Sequence, residues 1–591
     1  MIKLNRLTIL LLSVIFFAIF VVFSIDVRAN DDHAKEHQEY IIKLADEKCN
    51  EELTSIPGVG KVNAENPYRN VVTVHVEENE FQLQRAYRHR CVEKIEKNHK
   101  VELLSSSKYV QYHIDQLNVP AAWEFEGEYS PIVAVVDSGV NPHFLFADRL
   151  LEGFNVTNWT TDTFDREGHG TAVAGLIAAN RDNDVGIAGM SRSYILPVKV
   201  EDDWGNIFIF DVVNAIDWAV ANGADIINLS LGTVLPDDPY KSTLYEAVRD
   251  AYQQGVIIVA AAGNYGNHPE IGGNAEVYPA AYPETISVAA VDQNNQKASF
   301  SSYGPTVDLS APGVDIISTS HDDHFIIVDG TSFSAPIVTG IVSQILSFDR
   351  NFTPDQIKTI LKNGTLPIPD KRVGAGVADA YYANHIAFHR KSDLTPVLAD
   401  IHKSYARFEI LYLYDHGIIS GKTQSLFAPD EEIDRGQMAK LISEALGLQV
   451  DANVKGCDFP DVPANRWDAP YITAVCQAGI MYGKGDGKFY ARAKTTREEM
   501  AVIFMRALGL ANKADELSLN SNFTDAHLFN NWSKNEIALA AEIGLIRGIQ
   551  NQDGSYRFDP KGTTQRQAAA RLTYELYTRG DYYRQKAEEL N

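Results

Sequence analysis

Five largely apolar runs constrain this chain more than any other feature. They occupy residues 132–136, 194–200, 225–229, 256–262 and 285–291. Strands of that composition must be covered on both faces, the condition of a parallel sheet flanked by helices. Segments with helical spacing lie between them, at 170–179, 210–222 and 244–254. Strand alternating with helix over about 280 residues predicts a doubly wound α/β domain, here spanning residues 108–388. Such a sheet binds ligands at the carboxyl ends of its strands.

Those ends carry reactive residue types. Asp137-Ser138-Gly139 follows the first run, and Gly263-Asn264 follows the fourth. His169 stands in Asp165-Arg166-Glu167-Gly168-His169-Gly170-Thr171, which opens a helix. Ser332 lies in Gly330-Thr331-Ser332-Phe333-Ser334-Ala335-Pro336, just before an apolar helical run at 337–346. A helix N-terminus offers free N–H groups and a positive dipole end to a developing oxyanion. A serine there becomes a nucleophile only with a base and an orienting acid. Read singly, Asp137, His169 and Asn264 are also ordinary turn or helix-start residues, and Ser332 an ordinary N-cap.

The segments Val135-Val136-Asp137-Ser138-Gly139, Gly168-His169-Gly170-Thr171-Ala172-Val173-Ala174-Gly175, Asn228-Leu229-Ser230-Leu231-Gly232, Ala261-Ala262-Gly263-Asn264 and Gly330 to Pro336 occur in this order. Together they resemble the subtilisin family of serine proteases, over residues 108–388. The resemblance implies that Ser332 attacks a peptide carbonyl, His169 is its general base and Asp137 orients the imidazole. It implies an oxyanion hole made by the Asn264 amide and the Ser332 N–H. Ser230, Leu231 and Gly232 would pair with an extended substrate as an added strand, and Gly205 would mark the opposite edge. Ala261 and Gly263 would line the first specificity pocket, with Val277 where the family often has glycine. Phe333 stands in place of the family's usual methionine. No cofactor is expected for catalysis. The family's calcium-binding acid after the first strand is missing from Val140-Asn141-Pro142-His143-Phe144. Residues 180–186 resemble a calcium loop and read equally as an Asn/Asp turn, so structural calcium stays open and no metal ligand is assigned.

Upstream, Lys3 and Arg6 precede an apolar stretch at 7–25 and a small-residue site ending at Ala29. This reads as a signal peptide over residues 1–29, the alternative being an uncleaved anchor. Residues 30–107 read as a small α+β module, with strands at 40–44, 71–76 and 101–104 and a helix at 81–97. It resembles the family's inhibitory propeptide, with cleavage expected between 105 and 108. The cysteines pair off by position. Cys49 with Cys91 and Cys457 with Cys476 are the expected disulfides, against the alternative of free thiols in cores.

After a linker at 389–401 the text repeats. Tyr405, Trp467 and Trp532 each stand 12 residues ahead of Gly417, Gly479 and Gly544. Phe427, Phe489 and Phe558 each stand eight ahead of Arg435, Arg497 and Arg566. The units, at 402–450, 451–511 and 519–580, resemble S-layer homology repeats, which hold bacterial proteins to acidic wall polysaccharide. Three such units would pack as a pseudo-threefold bundle. The family's Thr-Arg-Ala-Glu motif appears as Asp434-Arg435-Gly436-Gln437 and Thr496-Arg497-Glu498-Glu499. Gln565-Arg566-Gln567-Ala568 lacks its acid, which puts that unit's binding most in doubt. Arginine suits a carboxylate ligand by its fork of donors, and it also serves as a brace at a helix start.

A net charge of −25 argues against nucleic acid as a partner. The resemblances imply a secreted, cell-wall-anchored serine endopeptidase made as a self-processed zymogen. Its expected partners are protein or peptide substrates, its own propeptide and acidic wall polysaccharide. The competing class is a non-catalytic wall-binding surface protein whose protease-like domain is only structural.

Overall fold

The computed structural model describes residues 39–590, except 46–48, 50–58, 67–70, 77–88, 98–110, 183–185, 236–237, 390–393, 395–396, 452–455 and 518. The signal peptide, the strand expected at 101–104 and the expected propeptide cleavage site lie outside them. The chain divides into two compact units between Ser105 and Ser106.

The first unit is a four-stranded antiparallel sheet in the order β2-β3-β1-β4. Its strands are β1 (Glu39–Leu44), β2 (Val59–Asn66), β3 (Val71–Val76) and β4 (Val92–Lys97). The helix expected at 81–97 is corrected at its C-terminal end: residues 92–97 are an edge strand paired with β1. The Cys49–Cys91 disulfide fixes the residue before β4 beside the sheet. Tertiary pairing there overrides the local helical spacing.

The second unit opens on a seven-stranded parallel sheet in the order β11-β10-β9-β8-β5-β7-β6. It is built from β5 (Ile132–Asp137), β6 (Phe154–Asn155), β7 (Tyr194–Lys199), β8 (Ile226–Leu229), β9 (Ile257–Ala261), β10 (Thr285–Val291) and β11 (Leu309–Pro312). Alternation along β5 explains why its run is apolar throughout. Val133 and Val135 pack under the helices His169–Ala178 and Thr331–Phe348. Ala134 and Val136 face the opposite layer, with Ile209–Ala221 and Thr243–Gln253. The helix Thr331–Phe348 is long and apolar enough to cross a membrane, but 89% of it is buried as the core of this sheet.

The described residues from Val397 onward form three helical units around a pseudo-threefold axis. Three backbone bridges close the ring: Asp434 to Lys494, Thr496 to Thr563 and Gln565 to Glu432. The Cys457–Cys476 disulfide lies within the second unit. The ring is docked on the α/β domain through the helices Ala380–His389 and Arg407–Asp415. Buried Arg407 donates there to Asp379 Oδ2 at 2.5 Å and to the Thr365 carbonyl at 2.9 Å.

Candidate active site and wall-binding grooves

β5 ends on Asp137, which is buried. His169 is the first residue of the helix His169–Ala178, and its Nδ1 lies 2.7 Å from Asp137 Oδ1. The close approach depends on Gly170. A Cβ there would lie 2.0 Å from the Gly139 carbonyl oxygen and 3.0 Å from the Asp137 Cβ. Burial disfavours charge on His169, but the Asp137 carboxylate, with Glu167 and Asp165 behind it, outweighs this. The imidazole pKa is pushed up to about 9.

Behind this pair sits a network that sequence reasoning missed. Asp165 is fully buried and accepts from Ser138 Oγ at 2.8 Å, the Gly168 and Thr171 amides at 2.8 Å, and Thr171 Oγ1 at 2.6 Å. Ser138 Oγ also reaches Asp137 Oδ1, at 3.3 Å. Asp165 therefore clamps the start of the His169 helix to the end of β5. The signal was the acid four residues before His169 in a segment opening a helix.

Ser332 is the second residue of the helix Thr331–Phe348. Pro336 within that helix lacks the N–H that the Ser332 carbonyl would accept. Ser230 Oγ donates to that carbonyl instead, at 2.7 Å, and Ser332 Oγ donates to the Ser230 carbonyl at 3.1 Å. A reciprocal pair thus ties the helix start to the end of β8. No hydrogen bond joins Ser332 to His169 in this arrangement. Phe333 is buried, with its ring 5.3 Å from the His169 ring.

Asn264 follows β9. Its Oδ1 accepts from the Thr331 amide and from Thr331 Oγ1, each at 3.0 Å. The carbonyl half of the amide is thereby fixed beside Ser332, which leaves the Nδ2 donors as the end that turns from Thr331. Gly263, at φ +101°, donates its N–H to Thr331 Oγ1 at 3.2 Å.

The expected substrate residues divide. Val277 is buried between Gly232 and Gly263. A Cβ on either glycine would lie 2.8 Å from one of its methyl groups. Ala261 is buried at the end of β9. Leu231 and Gly232 share an apolar cleft of about 270 Å³ with Ile207 and Phe208. Gly205 lies just outside it, in an exposed turn held by Asp202, whose Oδ1 accepts from the Trp204 and Asn206 amides. In the loop at 180–186, Asn180 Oδ1 accepts from Arg149 and Asp182 pairs with Arg192, each at 3.2 Å. Residues 183–185 of that loop lie outside the described residues.

In the repeats each arginine reaches into the next unit. Arg435 stacks on Phe489, Arg497 on Phe558 and Arg566 on Phe427, with guanidinium carbons 4.6, 5.1 and 4.6 Å from the ring centres. Each Nε donates to that phenylalanine's carbonyl, at 3.0, 2.7 and 2.9 Å. Three aspartates, Asp400, Asp461 and Asp525, each accept the same phenylalanine's amide, at 2.8, 2.9 and 2.8 Å. Their recurrence ahead of Phe427, Phe489 and Phe558 was readable in the sequence and went unused. The Asp434/Gln437 and Thr496/Glu499 ends of the motif are capping boxes, and Gln565 makes no side-chain cap.

Among the described residues of the ring, two grooves are open and basic. One, of about 350 Å³, is lined by Lys422, Lys440, Trp467 and Arg566. The other, of about 500 Å³, is lined by Tyr405, Arg497, Arg547, Arg571 and Lys586. At the third equivalent place Arg435 is pinned: Nη2 donates to the Tyr482 carbonyl at 2.7 Å, and Glu499 pairs with both Arg435 and Lys484.

Known proteins share these two architectures. A subtilase-family model matches residues 129–379, and an S-layer homology domain model matches 398–439 and 458–501. The chain is 34% identical over 328 residues to the thermostable alkaline protease of Halalkalibacterium halodurans, covering 55% of this chain and 86% of that protein. It is 36% identical over 268 residues to thermitase of Thermoactinomyces vulgaris, covering 45% of this chain and 90% of that protein. It is 33% identical over 313 residues to minor extracellular protease Epr of Bacillus subtilis, covering 51% of this chain and 47% of Epr, so it spans about half the length of that relative. The chain belongs to the subtilase family. Within it, this is a subtilase domain joined to an S-layer homology region.

Proposed function

We propose that the protein is a secreted serine endopeptidase held at the bacterial cell surface. One observation carries the reading: the Asp137–His169 pair, the Ser332 helix start and the Asn264 amide converge at the carboxyl ends of β5, β8 and β9. A substrate strand laid along Ser230–Gly232 would compete for the Ser230 carbonyl and release Ser332 Oγ. Rotation of Oγ to His169 would then complete the proton path. Oγ attacks the carbonyl carbon and its proton passes to His169 Nε2. The tetrahedral oxyanion is held by the Ser332 N–H and Asn264 Nδ2. His169 returns the proton to the leaving amine, and a water molecule repeats the sequence to free the acid. Casein hydrolysis by the processed protein, compared with Ser332→Ala, tests this. Activity must vanish in the variant, and equal activity in both would overturn the nucleophile assignment.

The first unit is proposed as the propeptide, removed by the enzyme itself. Ser332→Ala should then accumulate a form that still carries it.

The exposed aromatics and the cations of the two open grooves support binding of acidic wall polysaccharide. The full-length Ser332→Ala chain should be retained on purified cell walls. Trp467→Ala with Arg571→Ala should release it, whereas Trp532→Ala should matter little.

A further inference from the structure

Outside the catalytic cleft, a cluster of metal-ligating side chains converges at the junction between the subtilase domain and the first repeat. His385 and His389 stand one turn apart on the helix Ala380–His389, so both imidazoles share a face. Asp415 ends the facing helix Arg407–Asp415. His385 Nδ1, His389 Nε2 and the Asp415 carboxylate lie within 4.8 Å of one another. The His385 nitrogen is 2.9 and 3.1 Å from the two carboxylate oxygens, and the His389 nitrogen is 2.9 Å from one of them.

We propose that His385, His389 and Asp415 form a zinc-class metal site that fastens the catalytic domain to its wall anchor. A tetrahedral ion with bonds of about 2.0–2.2 Å holds its ligand atoms roughly 3.3 Å apart, so the two nitrogen–carboxylate separations need only a small expansion. Two imidazoles with one carboxylate match zinc, whereas calcium takes oxygen ligands. The ligand that must be oriented is oriented: Tyr381 donates its hydroxyl to Asp415 Oδ2 at 2.6 Å. His385 is buried, while the side chain of His389 is 30% exposed. That edge gives an ion its way in and leaves water as the fourth ligand. Because the ligands come from both sides of the junction, the ion would bind only the docked arrangement and stabilise it.

The same contacts without metal would be a hydrogen-bonded latch, and the two accounts are separable. The full-length chain carrying Ser332→Ala, which removes self-digestion, is titrated with Co²⁺ and followed by visible absorption. One equivalent should give the strong bands of a four-coordinate site, and Zn²⁺ should bleach them and raise the Tm. His389→Gln, at the exposed edge, should bind Co²⁺ more weakly by at least the roughly 10–100-fold that losing an outer-shell partner costs, and should lose the zinc-dependent rise in Tm. Asp415→Asn should do the same from the other side of the junction. Identical Co²⁺ spectra and zinc-dependent Tm in the parent and His389→Gln would overturn the proposal, as would a parent chain that takes up no Co²⁺.

Discussion

The subtilase domain and the repeat ring solve one problem in opposite ways. Each gathers side chains that are far apart in sequence. The α/β domain uses every group once, and each strand end delivers a different one: Asp137 from β5, Ser230 from β8, Asn264 from β9. The ring delivers the same arginine, phenylalanine and aspartate three times and closes them cyclically. Recurrence there marks architecture. The copies differ at one motif position: Glu499 pairs with Arg435, whereas its counterparts Gln437 and Ala568 carry no charge, so Arg566 and Arg497 lack that acid even though Glu431 pairs with Lys422. In the α/β domain the reverse holds, and the unrepeated residue is the reactive one.

The sharpest break in this comparison is expected at Asn264. Asn264→Ala should lower kcat by about 10²–10³, the range known for the oxyanion asparagine of subtilisin, a member of this family. KM should change little, because the donor acts on charge that develops only in the transition state. A steady-state assay on a peptide anilide reads both constants. Thr331 anchors the same amide, so Thr331→Val should give a smaller loss of the same kind.

Arg435→Ala should act on stability alone. It leaves the buried Phe489 carbonyl without its donor, at about 1–3 kcal/mol, and removes a second bond to the Tyr482 carbonyl at a partly exposed position. Denaturant unfolding of the full chain should register the loss, and casein hydrolysis of surviving folded protein should not. Trp467→Ala is the converse, weakening wall retention with an unchanged unfolding midpoint.

The sheet was legible because burial on both faces leaves an unbroken apolar run, and β5 and β7 to β10 fall where those runs lie, whereas the two-residue β6 had no such run. The candidate constellation was legible because each proposed member stands in a small-residue motif at a strand or helix end. Other features had no local signal. β4 depends on pairing with β1 and on a disulfide partner 42 residues away. The Ser230–Ser332 exchange follows from Pro336, whose effect appears only when Ser230 is nearby. The repeat spacing singled out the arginines, but spacing within a repeat could not say that each one reaches the phenylalanine of its neighbour.

Val277 tests the specificity side of the α/β domain. Its methyl groups fill the gap between Gly232 and Gly263. Val277→Gly should open that gap and favour a large aromatic P1 side chain over alanine by about 10–200-fold in kcat/KM, the scale of hydrophobic pocket discrimination. Val277→Ala should move the same ratio part of the way. Paired tetrapeptide anilides differing only at P1 measure it, and an unchanged ratio would remove Val277 from the pocket.

The gentlest test concerns the charge around His169. A base must be neutral to accept a proton, so with its pKa near 9 the free enzyme should lose kcat/KM about tenfold per pH unit below that value. Stability runs the other way. The folded pKa exceeds the ordinary 6.5, so the Asp137–His169 attraction contributes fully below about pH 6.5 and is lost as pH rises through 9. Activity and this part of the stability are therefore opposed across the same window. Glu167→Gln leaves the three proposed catalytic residues intact and removes one of the charges that raise the imidazole pKa. Its pH–rate profile should shift toward lower pH by a fraction of a unit, with the alkaline plateau unchanged. A lowered plateau would mean that Glu167, which accepts the His169 amide at 2.7 Å, positions the helix start as well as charging it.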